Sequence, residues 1–352
     1  MTDEAVPLPA PALLPWHVRA VEQLRSAWSS GRMSHALLIT GPEGIGKRQL
    51  AAWLAAAVLC DRTDATHLDR CGECASCKLI DAGSHPDLWW VRPEEDKQQI
   101  SVDQVRAMCE RLGKTSYREG YKVAVVEPAH RMTPGAANSL LKTLEEPAPK
   151  SLLVLVTSQP SALLPTVRSR CLKLAVGGPS SSEARAWAES AIGQELAADA
   201  LEFAGGAPLK AVELAQGAFA TLHDDMQKGL AALLSGRADV TQVAANWADE
   251  QLPERLSWLD RWLLSLARGA LAGTAEFITF PSRPVHLPSP SHTLNISSIY
   301  TLVDRARALK AQLARTALQR ELAVTAWLYA LLDVMASASA PSPRGVPMNR
   351  SR

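Results

Sequence analysis

The sequence predicts an α/β domain built on a parallel sheet, followed by two all-helical domains. From Met1 to about Val176, short apolar runs alternate with helical patterns, as expected for a parallel sheet covered by helices on both faces. At Gly177, Gly178 and Pro179 this pattern breaks, and alanine and leucine recur at helical spacing with no strand signal after them. The length of 352 residues also exceeds one ordinary core, since compact domains run ~100 to 200 residues.

The predicted strands are Ala36–Thr40, Leu88–Arg92, Lys122–Val126 and Leu152–Thr157. Between them, Ser101 followed by Gln104 makes a capping box, and Val102, Val105, Cys109 and Leu112 continue at helical spacing. Thr133 and Pro134 read as N-cap and first residue of a further helix, which Pro147 closes. Glu145 and Glu146 end that helix at the unfavourable pole of its dipole, at about a few tenths of a kcal/mol each. A subunit contact or plain solvation would account for them, because Lys142, one turn earlier, stands in the weaker pair orientation. Beyond residue 176 the expected organisation is a small helical lid over 177–218 and a helical collar over 219–338. A loop from Gly273 to Ser298 interrupts the collar, and a Pro-, Ser- and Arg-rich disordered tail covers 339–352.

Composition narrows the function. A hydrophobic content of 47% with 21% charged residues fits a soluble globular chain, and no apolar run reaches the ~20 residues of a membrane span. The opening MTDEAVPLPAPALLPW carries acids and prolines where a secretory signal would be basic and then apolar, which predicts a cytoplasmic protein. A net charge of +1 supplies no global field for holding nucleic acid.

Two motifs carry chemistry. Gly41, Pro42, Glu43, Gly44, Ile45, Gly46, Lys47 and Arg48 follow the first strand and match a phosphate-binding P-loop except at the last position. In such a loop the backbone amides and helix N-terminus cradle phosphates and the lysine meets their terminal oxygens. A hydroxyl at position 48 would ligand Mg²⁺, and an arginine stands there instead. After the third strand, where an acid holds Mg²⁺ and another activates water, the residues are Glu127 and Pro128. Proline has no group to orient or deprotonate water, so hydrolysis in this site is not expected, while phosphate binding by Gly41, Gly44, Gly46 and Lys47 stays open.

The second motif is Cys60 with Cys71, Cys74 and Cys77 in the run CGECASC. Four thiolates at this spacing can close a tetrahedral, structural Zn²⁺ site. Four free cysteines and a redox CxxC are the alternatives, with His67 and His85 as competing ligands. After the fourth strand, Arg168, Ser169, Arg170 and Cys171 form a short basic segment that on composition alone reads as solvated charge.

Taken together, HALLITGPEGIGKR at His35–Arg48, CGECASC, NSLLKTLEEP at Asn138–Pro147 and VRSRC at Val167–Cys171 resemble the clamp-loader AAA+ family of bacterial DNA polymerase III. The resemblance covers about the first 215 residues, and ELAVTAWLYAL at Glu321–Leu331 adds support. It implies a P-loop NTPase (AAA+) domain with a zinc module, an all-helical lid and an all-helical oligomerising collar. Motor subunits of the family, tau and gamma, carry a full P-loop, an Asp-Glu pair and a lid arginine. This chain has Arg48, Glu127 with Pro128, and Leu209 beside Lys210 at those places. Ser169, Arg170 and Cys171, however, match the family's SRC motif, whose arginine reaches a neighbour's nucleotide. The resemblance therefore implies a subunit without hydrolysis of its own that lends Arg170 in trans. Its implied partners are tau or gamma subunits and delta in a ring of five within the DNA-directed DNA polymerase III holoenzyme, loading the beta sliding clamp onto primed DNA. The rivals are an autonomous tau- or gamma-like ATPase, favoured by Lys47, and a zinc-dependent DNA-binding protein, favoured by the cysteines.

Overall fold

The computed structural model describes residues 11–95, 97–217, 219–271, 278–280, 283–285, 295–313 and 319–337. The chain forms two compact units. One runs to Ala184 and takes in Ala207–Lys210; the other comprises Arg185–Gly206 and the residues from Ala211 onward.

The first unit is built on a parallel sheet of five strands: β1 (Ala36–Thr40), β2 (Leu88–Val91), β3 (Lys122–Val126), β4 (Ser151–Thr157) and β5 (Leu172–Ala175), in the order β2-β3-β4-β1-β5. The central strands β1, β3 and β4 are buried at every residue, because helices cover both faces. Alternate side chains divide between two cores. Leu37, Ile39, Val123, Val125, Val154 and Val156 face the helix Lys47–Leu59, whereas Leu38, Ala124, Val126 and Leu155 face Val105, Met108 and Leu112 of the helix Val102–Gly113.

The expected capping box forms, with Ser101 Oγ accepting from Gln104 N at 3.3 Å and Gln104 Oε1 accepting from Ser101 N at 2.9 Å. Thr133 caps the next helix by accepting from Ala136 N at 3.2 Å, and the helical run divides into Pro134–Ser139 and Leu141–Glu145 before Pro147. Strand β5 lay outside the sequence expectation. It is an edge strand with only Leu174 buried, so it lacks the continuous apolar run that marks the other strands.

Among the described residues, the second unit consists of helices and one antiparallel hairpin. Helices Leu252–Leu271 and Ile296–Leu313 pack together, as do Val240–Trp247 and Arg320–Ser337, around buried Trp247, Trp258, Trp262 and Trp327. The strands Ile278–Phe280 and Arg283–Val285 pair inside the segment expected to be a strandless loop, and the helix from Ile296 begins before that loop's expected end at Ser298. Most of the rest of that loop, and the tail expected to be disordered, lie outside the described residues. No helix of the described residues is long and apolar enough to cross a membrane.

Candidate functional site

Between β1 and the helix Lys47–Leu59, the loop glycines take backbone conformations that other residues resist. Gly44 has φ +70° and a Cβ there would lie 2.8 Å from the Ala207 methyl; Gly46 has φ +85° and a Cβ would strike Leu14 and His17. The loop is braced from outside. Trp16 Nε1 donates to the Ile45 carbonyl at 2.8 Å, and Leu209 N donates to the Gly44 carbonyl at 3.1 Å. His17 is fully buried, and Leu14 N donates to its Nδ1 at 3.3 Å, so its Nε2 carries the proton given to Ile45 O at 3.0 Å. Burial holds this imidazole below its ordinary range, against the raising effect of the Ile45 bond. The bracing residues at 14–17 carry no motif that the sequence could have revealed.

Lys47 is 8% exposed and donates to the Pro42 carbonyl of its own loop. Burial lowers its pKa, while Glu43 and Glu127 oppose that shift. Glu43 itself accepts from Ser158 Oγ at 3.2 Å and lies 4.0 Å from Lys210 Nζ.

At the metal position the arrangement is cationic. Arg48 Nε stands 3.4 Å from Glu127 Oε2, and Arg92 Nε stands 3.4 Å from the same oxygen. Trp90 Nε1 donates to that oxygen at 3.2 Å, and the Arg92 guanidinium lies over the Trp90 ring, 5.2 Å from its centroid. Arg48 Nε and Arg92 Nε and Nη2 are buried without a hydrogen-bond partner. Burial, aided by the like charge of Arg48, pulls Arg92 below the usual guanidinium range, and Glu127 resists. Glu127, the acid expected at the metal position, thus stands in ion-pair range of two guanidiniums. Arg92 and Trp90 were not legible as site residues. The pairing of Val91 with Val126 sets Arg92, one residue past β2, beside Glu127, one residue past β3.

Arg170 lies elsewhere in this unit, after the short helix Pro165–Arg168. Glu145 Oε1 accepts from its Nε at 2.9 Å and lies 2.6 Å from its Nη2. Its Nη1 donates to Thr166 O at 3.0 Å and reaches Ser169 Oγ at 3.5 Å. Glu145 is thus paired with an arginine of its own chain, which the sequence reading, with its subunit contact or plain solvation, did not foresee. Neighbouring Cys171 is packed into the core, and burial pushes its thiol up to about 11.

Cys60, Cys71, Cys74 and Cys77 converge, their sulfurs within 4.8 Å of one another, in a group able to hold a metal ion. Backbone amides of Glu73 and Cys74 donate to Cys71 Sγ at 3.5 and 3.3 Å, bringing this thiol down to about 6, whereas burial takes Cys77 up to about 12. Neither His67 nor His85 belongs to the group. His67 is exposed, and His85 is buried, with Nδ1 accepting from Asp87 N at 3.2 Å and Nε2 3.2 Å from Ser76 Oγ. Ser76 in turn donates to Asp61 Oδ1 at 2.6 Å, and Arg118 pairs with Asp61 at 3.2 Å. This network ties the cysteine-bearing turn to the start of β2.

Comparison with known proteins agrees along the chain. A family model described as DNA polymerase III, delta subunit, matches residues 16–178, and one described as DNA polymerase III, delta subunit, C terminal, matches residues 222–333. The chain is 37% identical over 268 residues to DNA polymerase III subunit delta' of Pseudomonas aeruginosa, covering 75% of this chain and 80% of that protein. It is 33% identical over 316 residues to the Escherichia coli subunit delta', covering 88% and 92%. A solved DNA polymerase III gamma subunit-related protein of Thermotoga maritima aligns with a TM-score of 0.40 at 19% identity, covering 90% of this chain and 98% of that one. By its matched segments and its identity to the two delta' subunits, the chain belongs to the DNA polymerase III delta' family of clamp-loader subunits.

Proposed function

We propose that this chain is the hydrolysis-impaired subunit of a bacterial clamp loader and lends Arg170 to ATP held by a neighbouring tau or gamma subunit. The carrying observation is the cluster at Glu127, where Arg48 and Arg92 supply the positive charge that Mg²⁺ would bring. Two guanidiniums neutralise a carboxylate but offer no ligand to a nucleotide-bound metal and no base to water. The loop of Gly41, Gly44, Gly46 and Lys47 is left as a phosphate cradle without hydrolytic equipment. Arg170 retains a partly exposed guanidinium, as a group acting on phosphate across an interface requires.

The same reading includes a lid over 177–218 and a collar over 219–338 that joins the chain to tau or gamma and delta. The beta sliding clamp and primed DNA are engaged through the assembled complex, in the cytoplasm. The metal assigned to the cysteine cluster is zinc. With Zn–S bonds of ~2.3 Å, a tetrahedral site separates its sulfurs by ~3.8 Å, and Cys60–Cys74 and Cys71–Cys77 lie at 3.9 and 4.0 Å. A bound zinc would stabilise four neighbouring thiolates and fix the turn.

ATP hydrolysis by the purified chain, alone and after assembly with its motor partners, tests the central claim. The chain alone should show no Mg²⁺-dependent turnover. Arg170→Ala should assemble normally and slow hydrolysis at the one interface it serves by ~10³ in a single-turnover measurement. An assembled Arg170→Ala complex with an unchanged rate, or brisk turnover by the chain alone, overturns the proposal.

A further inference from the structure

We infer that Glu145 is the positioning residue of Arg170, holding one edge of the guanidinium so that the other is presented to a phosphoryl group. The inference rests on the proposed role of Arg170. A guanidinium carries five N–H donors in a rigid fork with two bidentate edges. Its side edge, made by Nε and Nη2, is directed at the single oxygen Glu145 Oε1, at 2.9 and 2.6 Å. One Nη1 hydrogen goes to Thr166 O at 3.0 Å. The outer edge, made by the remaining hydrogens of Nη1 and Nη2, meets only the long 3.5 Å contact to Ser169 Oγ. Bidentate contact with a phosphoryl group needs two such parallel N–H groups. Arg170 can therefore take a phosphate while still held by Glu145, and the ion pair orients the arginine without competing for it.

Both partners stand on a fixed base. Glu145 ends the helix Leu141–Glu145, anchored by buried Leu140 and Leu144, and Arg170 lies between buried Val167 and half-buried Cys171; Leu140, Leu144 and Val167 belong to one apolar cluster, against which Cys171 packs. An exposed arginine would otherwise sample many rotamers, and ordering it at the moment of reaction would slow the step. The same pair answers why a carboxylate ends this helix at its negative pole: Arg170 supplies the compensating charge.

The test uses the complete clamp loader reconstituted with full-length wild-type, Arg170→Ala, Glu145→Ala, Glu145→Gln and doubly substituted chains. Glu145→Ala should lower kcat at the interface about tenfold with assembly and KM for ATP unchanged, and Glu145→Gln, whose amide oxygen still accepts both N–H groups, should stay within about twofold of wild type. In the Arg170→Ala background, Glu145→Ala should have no further effect, since the carboxylate acts only through the arginine. Wild-type or raised kcat for Glu145→Ala beside an impaired Arg170→Ala would overturn the inference, as would an added defect in the double variant. If Arg170→Ala itself leaves hydrolysis unchanged, the arginine-finger reading falls first and this inference with it.

Discussion

At Glu127 one carboxylate oxygen serves Arg48, Arg92 and Trp90, and the charge balance depends on that single side chain. The cluster is partly buried, with the Arg92 and Glu127 side chains 18% and 19% exposed. Removing one partner from a buried pair leaves the other charge uncompensated, at a cost of several kcal/mol when burial is complete and less where water reaches. Glu127→Gln, which keeps the shape and removes the charge, should therefore destabilise the first unit by ~1–3 kcal/mol in urea unfolding followed by a probe within it. Unchanged stability would mean that solvent already screens both arginines. The sequence exposed half of this arrangement. The P-loop spacing identified Arg48 as out of place, and the end of the third strand identified Glu127. That the two oppose each other, with Arg92 as third member, depended on which strands are neighbours.

At the scale of elements, the cysteine-bearing turn and the helix Ala75–Asp81 illustrate short-range legibility. The CGECASC spacing allows Cys71, Cys74 and Cys77 to share a focus because a tight turn followed by a helix start brings residues three apart together. The additional partners were not legible. Ser76, His85, Asp61 and Arg118 meet across long stretches of chain, and His85, offered by the sequence as a ligand, acts as a hydrogen-bonding brace. Metal removal should release this turn while the sheet persists. Chelation, or Cys77→Ser, should raise amide exchange across residues 60–81 and leave the protection of β1, β3 and β4 largely intact, with one metal ion per chain, zinc on the proposed assignment, lost by elemental analysis. Full protection of the turn after verified metal loss would show that the polar network alone holds it.

At the scale of the whole molecule, two compact units imply that unfolding need not follow one transition. The second unit contains a polar knot in its core. Trp258 Nε1 donates to His223 Nδ1 at 3.0 Å, so the proton sits on Nε2, where Asp199 Oδ2 at 3.3 Å can accept it, and the Gln227 amide, one turn along the same helix, packs beside the ring. Removing the imidazole leaves buried polar groups without this partner, at about 1–3 kcal/mol for each group stranded. His223→Ala should lower the unfolding transition of the second unit by ~2–4 kcal/mol, read by fluorescence of its tryptophans, with the amide protection of β1 and β4 unchanged. Equal loss in both units would show that they unfold together. The knot had no signature in the sequence, since its four residues come from three helices, with only His223 and Gln227 sharing one, and each alone reads as an ordinary surface polar or core aromatic residue.

The sequence by itself determined the elements whose cause is local: the buried parallel strands, the caps at Ser101 and Thr133, the P-loop with its misfit at Arg48, and the four-cysteine turn. Hydrophobic period, capping chemistry and ligand spacing act over a few residues, so they are written in order along the chain. The tertiary structure alone decided the edge strand β5, the pairing of Ile278–Phe280 with Arg283–Val285, the Arg92 contribution at Glu127 and the pairing of Glu145 with Arg170. Each of these depends on segments far apart in the chain becoming neighbours through strand order or a shared core, and a single sequence carries no direct record of such distances.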